Sequence, residues 1–489
     1  MADLHQKLAE AGYEATIGLE VHVQLNSQSK LFAADPNDPD GDPNSLVSVI
    51  TLGHPGTLPV LNEAVLEKAI KMGLACDCDI TEINHFARKN YFYPDLPKGY
   101  QTTQDKTPIC MGGKVRLFGE GLKRESIPLH HIHLEEDAGK SIHDEGPDTL
   151  IDLNRAGTPL IEIVTEPAIE NAAEAAAFLQ EVRRLVRYLD ISGGNMERGE
   201  LRCDANISIK PIDSELLGNK VEIKNMNSIN NVRKAIDHEI ERQLACVANA
   251  EEIAVETRTF DASSGKTYGM RFKETMNDYR YFPCPDLAPF VVDAEMLSAV
   301  REKQPITPHE FRQKFTSEYR LSDYDVGLLT EEKETASFFV ALCECTNNFK
   351  AAANVLNGPL KGLLNELGRT MDAPGLSVEQ LAGYIALIDE AKVSASIAAQ
   401  RILPQLIDSG KSALEIAEAS DLIMDRDEDA LLTLVKEVLN AMPDKVVAYK
   451  KGKKGLMGLF TGQVMKKSQG KADPRKVQAL LQEELKKDL

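Results

Sequence analysis

Between residues 14 and 295 apolar and polar positions alternate in short runs, and Gly, Pro, Asn or Asp separates one run from the next. A period of two is the signature of strands with one buried face, so this stretch predicts a sheet. Beyond about 296 the apolar residues recur every three to four positions and strand signals thin out, which predicts helices. The fold class that follows is α+β: a sheet-rich N-terminal domain over 1–295, a helical domain over 296–410 and a small helical domain over 411–489. Pro305 and Pro308 mark the first change, and Pro404 and Gly410 interrupt the helices before the second. One helix stands inside the sheet region, over 173–189, where Phe178, Val182, Leu185, Val186 and Leu189 share a face. The last helix has Asp473 as its N-cap, Pro474 at its first position and Val477, Leu480, Leu481 and Leu485 as its stripe. No apolar run reaches the length of a membrane span, so no transmembrane helix is expected.

Several predicted strands carry an unusually loaded polar face. Over 16–25 the odd positions are Ile17, Leu19, Val21, Val23 and Leu25, and the even ones set Glu20, His22 and Gln24 side by side. Over 201–210 the apolar residues alternate with Arg202, Asp204, Asn206, Ser208 and Lys210. Glu222 and Lys224 repeat the pattern, as does Glu162 between two isoleucines. His131, His133 and Glu135 alternate with Ile132 and Leu134, and Glu136 and Asp137 follow. Carboxylates with few thiols suit a hard ion such as Mg²⁺, which commonly bridges protein carboxylates and phosphate. Arg and Lys on neighbouring strands would neutralise a transferring phosphoryl group. Together they predict a phosphoryl-transfer cleft built on a sheet, with the nucleotide held without a P-loop, since no GxxxxGK[ST] occurs. The run His130, His131 and His133 offers a transition-metal reading, but His130 lies on the other face and no fourth ligand is evident. Tyr91 belongs to an aromatic stretch over 90–101, echoed over 278–283 and flanked by Arg88, Lys89 and Lys98. Its rings either fill a core or form a rigid loop on which a nucleoside can stack. The serine-lysine machinery of an amidase is not evident, so this chain is not expected to release ammonia from glutamine by itself.

Charge adds a partner to this picture. The chain of 489 residues carries −20, yet 441–489 holds 12 Lys+Arg against 5 Asp+Glu, so that segment is +7 and the remainder −27. Lys450, Lys451, Lys453 and Lys454 form one cluster and Lys466, Lys467 and Lys471 another. A basic end on an acidic body points to one localised anionic partner. The eight cysteines are scattered, with Cys76/Cys78 and Cys343/Cys345 as the close pairs, which reads as reduced thiols. The first residues have neither an apolar core nor an acid-poor composition, so a cytoplasmic location is expected.

The blocks 17–25 (IGLEVHVQL), 87–95 (ARKNYFYPD), 133–140 (HLEEDAGK), 152–162 (DLNRAGTPLIE) and 201–206 (LRCDAN), with 462–466 and 470–474 near the end, resemble the signature blocks of one family. That family is the B subunits (GatB) of the GatCAB tRNA-dependent amidotransferase. The resemblance implies a sheet-rich cradle, a helical domain and a YqeY-like tail that binds tRNA. It implies two steps: ATP phosphorylates the side-chain carboxylate of Asp or Glu on a misacylated tRNA(Asn) or tRNA(Gln), and ammonia from the glutaminase (A) partner displaces the phosphate. Both steps would take place within a heterotrimer that the C partner completes. It further implies ATP and Mg²⁺, with Glu20, His22, Glu136 and Asp204 around the ion and Glu135 as the alternative to Glu136. Lys89, a catalytic candidate with Glu20, Glu136 and Asp204, joins Arg155, Lys224, Tyr91 and Asn206 as contacts to phosphate or substrate. Two departures stand out: Thr103 occupies a position where the family commonly has Ser, and Cys284 replaces a frequent acid. A tRNA-binding scaffold without chemistry and a free-standing ATP-dependent ligase are the rival readings.

Overall fold

The structure, a computed structural model, describes residues 4–38, 40–143, 146–270, 279–371, 375–424, 428–468, 472 and 474–486. Two expectations, Lys471 as a tRNA contact and Asp473 as a helix cap, lie outside the described residues. The chain forms two compact units, Met1–Glu310 and Phe311–Leu489.

In the first unit thirteen strands among the described residues join one sheet. Ten of them form its main path, numbered here along the chain: β1 (Tyr13–Gln24), β2 (Ala87–Asn90), β3 (Tyr100–Thr103), β4 (Ser126–Glu136), β5 (Pro159–Thr165), β6 (Leu201–Pro211), β7 (Val221–Lys224), β8 (Glu256–Asp261), β9 (Lys266–Gly269) and β10 (Arg280–Pro283). Their order is β9-β8-β7-β6-β1-β5-β4-β3-β2-β10, so β1 lies in the middle between β6 and β5. The period-two pattern explains why. Ile17, Leu19, Val21 and Val23 are fully buried on one face while their alternates are half-buried on the other. A strand slipped by one residue would exchange the two sets, so the pattern fixes the register.

The apolar face packs on two helices, Ala172–Tyr188 and Ile229–Ala248. The first is the helix predicted over 173–189. Asn171 caps it by accepting from the Glu174 amide, and Phe178, Val182 and Val186 are sealed in the core. Phe178→Ala is expected to destabilise this unit by about 3–5 kcal/mol, the usual cost of emptying a buried aromatic site. Chemical unfolding of the variant against the parent measures it, and a shift below about 1 kcal/mol would contradict the packing described.

Among the described residues the last strand is Phe290–Val291, and every element from Ala294 onward is a helix. The unit nevertheless extends past 295, because the Ala294–Glu302 helix packs back on Glu63–Ala75 with Val300 buried. In the second unit Ser377 starts the Val378–Asp389 helix with a capping box completed by Gln380. The short Ala413–Ala419 helix packs on Val378–Asp389, so the core of the end segment begins later. That core comprises Leu431, Val435, Val438, Phe460, Val464, Val477, Leu481 and Leu485, with Leu480 partly buried against it. No helix among the described residues is long and apolar enough to cross a membrane.

Candidate active site

Sheet register assembles the charged face. His22 on β1 lies opposite Arg202 on β6 and opposite Glu162 on β5, and Glu162 lies opposite His133 on β4. One row, His133–Glu162–His22–Arg202, therefore crosses four strands whose spacing is set by backbone hydrogen bonding at about 4.8 Å. Glu135 stands two residues along β4 on the same face. His22 Nε2 is 3.4 Å from Glu135 Oε1 and 3.3 Å from Glu162 Oε2. The ligand atoms of His22, Glu135 and Glu162 all fall within 4.8 Å of one another. On the β6 side Glu20 is opposite Asp204, and Asn206 Nδ2 donates to Glu20 Oε1 at 2.9 Å. Lys224 Nζ is 2.6 Å from Asp204 Oδ2 and 2.9 Å from Glu222 Oε1.

Burial and mutual charge tune these groups. Burial alone would lower the pKa of His22, but its hydrogen bond to Glu162 and the charges of Glu162 and Glu135 raise it to about 9. Glu162 moves the other way: burial opposes its ionisation, yet His22, His133 and Lys89 hold it well below the usual carboxylate range. Glu20 is raised by burial and by the nearby carboxylates Glu162, Glu222 and Asp204, against the hydrogen bond from Asn206. Lys89 is likewise buried, and Glu135, Tyr281 and Glu162 raise its pKa, so it stays a cation. One imidazole nitrogen and two carboxylates in a buried, charge-loaded spot fit a divalent cation.

Of the residues expected in the site, Glu20, His22, Asp204, Asn206 and Lys224 share this face, and Lys89 feels Glu135 and Glu162 from β2. Glu136 does not share it, which corrects its placement beside His22. Alternation along β4 sends it through the sheet, where Lys98 pairs with it and the Thr102 amide donates to it at 2.8 Å. There it lines a cavity of about 330 Å³ with Lys30, Thr51, Arg88, Tyr100 and Cys284. Glu135 takes the position beside His22, and the Thr103 hydroxyl donates to its Oε2 at 3.4 Å. Arg155 is committed to a turn, donating to the carbonyls of Ala138 at 2.9 Å and Gly139 at 2.6 Å, with Asp137 at 3.6 Å. The guanidinium in the row is Arg202, held by Asp137 at 2.5 Å. Tyr91 donates to Gln101 Oε1 at 3.2 Å, and its ring lies 5.5 Å from that of Tyr279, over which Lys89 Nζ sits at 5.0 Å.

Sequence reasoning set Glu162, His133 and Arg202 on the charged strand faces without choosing them as ion or phosphate contacts, and only the cross-strand register brings them together. The transition-metal reading of the three histidines is not supported. Among the described residues the group able to hold an ion is His22, Glu135 and Glu162. In the second unit Lys450 ends the Pro443–Lys450 helix and Lys451 follows it. Lys454 lies 4.4 Å over the Tyr449 ring, and Lys466 and Lys467 close the Leu456–Lys467 helix, where Lys467 pairs with Glu437 at 2.8 Å.

The charged sheet face gathers two histidines, several carboxylates and cations, and the sequences that build it and the helices after it both match known families. The model of the GatB/GatE catalytic domain matches residues 15–298 and that of the GatB domain matches 337–485. The chain belongs to the GatB/GatE family. Relatives named as the B subunits of aspartyl/glutamyl-tRNA(Asn/Gln) amidotransferases are similar nearly end to end. The one from Pelodictyon phaeoclathratiforme is 45% identical, covering 96% of this chain and 98% of its own. Those from Persephonella marina (44%; 97% and 100%) and a Picosynechococcus species (45%; 97% and 98%) are similar to the same degree.

Proposed function

We propose that the chain is the activating subunit of a tRNA-dependent amidotransferase, working in a cytoplasmic heterotrimer with the glutaminase (A) and C partners. The observation that supports this best is the His22–Glu135–Glu162 cluster with Arg202, Lys224 and Lys89 around it. The reaction joins two steps. The side-chain carboxylate of Asp or Glu esterified to tRNA takes the terminal phosphoryl group of ATP and releases ADP. Ammonia then adds to the acyl phosphate carbon, phosphate leaves with the C–O electron pair, and a proton is released as the amide forms. A carboxylate is a poor electrophile and its acyl phosphate a good one, which is why ATP is required. Mg²⁺ bound by His22, Glu135 and Glu162 would supply charge neutralisation for the phosphates. Arg202, fixed by Asp137, and Lys224, fixed by Asp204 and Glu222, offer oriented cations to the same charge. Lys89 stays protonated and sets a positive charge beside Glu135 and Glu162.

The test is reconstitution. The chain is mixed with its glutaminase and C partners, ATP and Asp- or Glu-charged tRNA, and the tRNA-bound amino acid is analysed for Asn or Gln. Glutamine should support the reaction only with the glutaminase present, whereas high ammonium should replace glutamine and glutaminase together. A scaffold without chemistry would leave the amino acid unchanged under every condition. Product from glutamine but none from ammonium would replace free ammonia with direct transfer of a bound amide.

A further inference from the structure

His133 lies within reach of both carboxylates of the cluster but is not one of the three groups that close around a single point. Its Nε2 is 3.4 Å from Glu162 Oε2 and 3.6 Å from Glu135 Oε2. The two oxygens of Glu135 are thereby divided: Oε1 faces His22, while Oε2 is approached by His133 and by the Thr103 hydroxyl. His22 and His133 flank Glu162 on the two neighbouring strands, each opposite it in register. The two imidazoles therefore brace the carboxylates from opposite sides.

Behind His133 is a chain of imidazoles. His131 Nε2 is 3.0 Å from His133 Nδ1, with the rings stacked at 5.1 Å, and His130 Nδ1 is 2.6 Å from His131 Nδ1. Burial and the adjacent His133 and His130 push the pKa of His131 down to about 4, so it is neutral and has one N–H to give. With His133 neutral, one assignment satisfies all these contacts. His130 Nδ1–H donates to His131 Nδ1, His131 Nε2–H donates to His133 Nδ1, and His133 Nε2–H faces the carboxylates. The hydrogen bond at the far nitrogen dictates which nitrogen of His133 carries its proton, the usual way an imidazole is oriented beside a metal site.

We infer that His133 is a positioning residue for the divalent cation, holding Glu135 and Glu162 against His22 while His131 fixes its tautomer and ring plane. This rests on the reading that His22, Glu135 and Glu162 hold such an ion. A residue of this kind sets how tightly the ion is bound, because without it the carboxylates must be ordered at the moment of binding.

The probe is Mn²⁺ alone, titrated into the full-length chain and followed by electron paramagnetic resonance, with Mg²⁺ dependence of amide formation as the second readout. His133→Ala should weaken Mn²⁺ binding by about 10–100-fold, the range for removing such a supporting group, and raise the Mg²⁺ requirement in parallel. His133→Gln, whose amide can donate at a similar reach, should stay within about threefold of the parent. His131→Phe keeps the ring but removes the donor to His133 and should weaken Mn²⁺ binding in the same direction; it decides the matter if His133→Ala does not fold. A parent that binds Mn²⁺ through Glu135 and Glu162, with both histidine variants binding equally well, overturns the inference and leaves the proposed site standing. If Glu135→Gln and Glu162→Gln bind Mn²⁺ as the parent does, both fall.

Discussion

Glu162→Gln should lower ATP-dependent amide formation by about 10²–10³-fold, the loss typical of removing one oriented charge from a reacting centre. The side chain keeps its size and its place in β5, so the fold should persist. What disappears is the carboxylate that His22, His133 and Lys89 all keep ionised. The loss should be larger than for most other single substitutions on this face, because Glu162 lies between His133 and His22 in the His133–Glu162–His22–Arg202 row and pairs with both imidazoles. Initial rates with saturating ammonium in place of glutamine measure it, since they bypass the glutaminase. A variant that forms amide at the parental rate under those conditions would remove Glu162 from the chemistry.

The second large effect concerns RNA binding. Ending the chain at Met424 removes the Leu431–Leu485 core and the lysine clusters but leaves the Ala413–Ala419 helix on Val378–Asp389. A cut at 411 would strip that helix from its packing and confuse two effects. The shortened protein should bind tRNA at least about tenfold more weakly at moderate salt, with a shallower dependence of log affinity on log salt, by about 0.9 for each duplex phosphate no longer neutralised. Lys467 is engaged with Glu437, so the slope should fall by less than a count of basic residues suggests. ATP-dependent activation of a minimal aminoacyl substrate that lacks the body of the tRNA should be unchanged. Equal affinity and equal salt slope for the two forms would place the RNA contacts elsewhere.

The alternating strands were legible because alternation is local: the odd positions of β1 and β6 announce a buried face whatever they pair with. The Ala172–Tyr188 helix was legible for the same reason, its apolar stripe lying within one short segment. Which polar residues meet across the sheet was not. His22 and Glu162 are separated by nearly half of the domain's sequence, and only the β1–β5 register sets them opposite each other. The choice between Glu135 and Glu136 depended on the phase of β4 relative to β5, a tertiary property. Arg155 and Arg202 are alike in composition, and only the carbonyls of Ala138 and Gly139 show that the first is spent on a turn. The bound at 295 leaves out the Ala294–Glu302 helix, whose partner, Glu63–Ala75, is remote in the chain, whereas Pro305 and Pro308 fall close to the unit's end at Glu310.

Glu135 and Glu136 are consecutive in the chain yet look into different spaces, the first toward His22 and the second into the cavity with Lys98 and Arg88. β4 at this point is a partition one peptide thick, furnished on both sides. Its two surfaces cannot be retuned independently, because a tilt of the Glu135–Glu136 peptide that relieves one carboxylate displaces the other. An insertion or deletion of one residue in this strand would trade the two compartments' acids outright, so length variation should be barred from β4 even where substitution is tolerated.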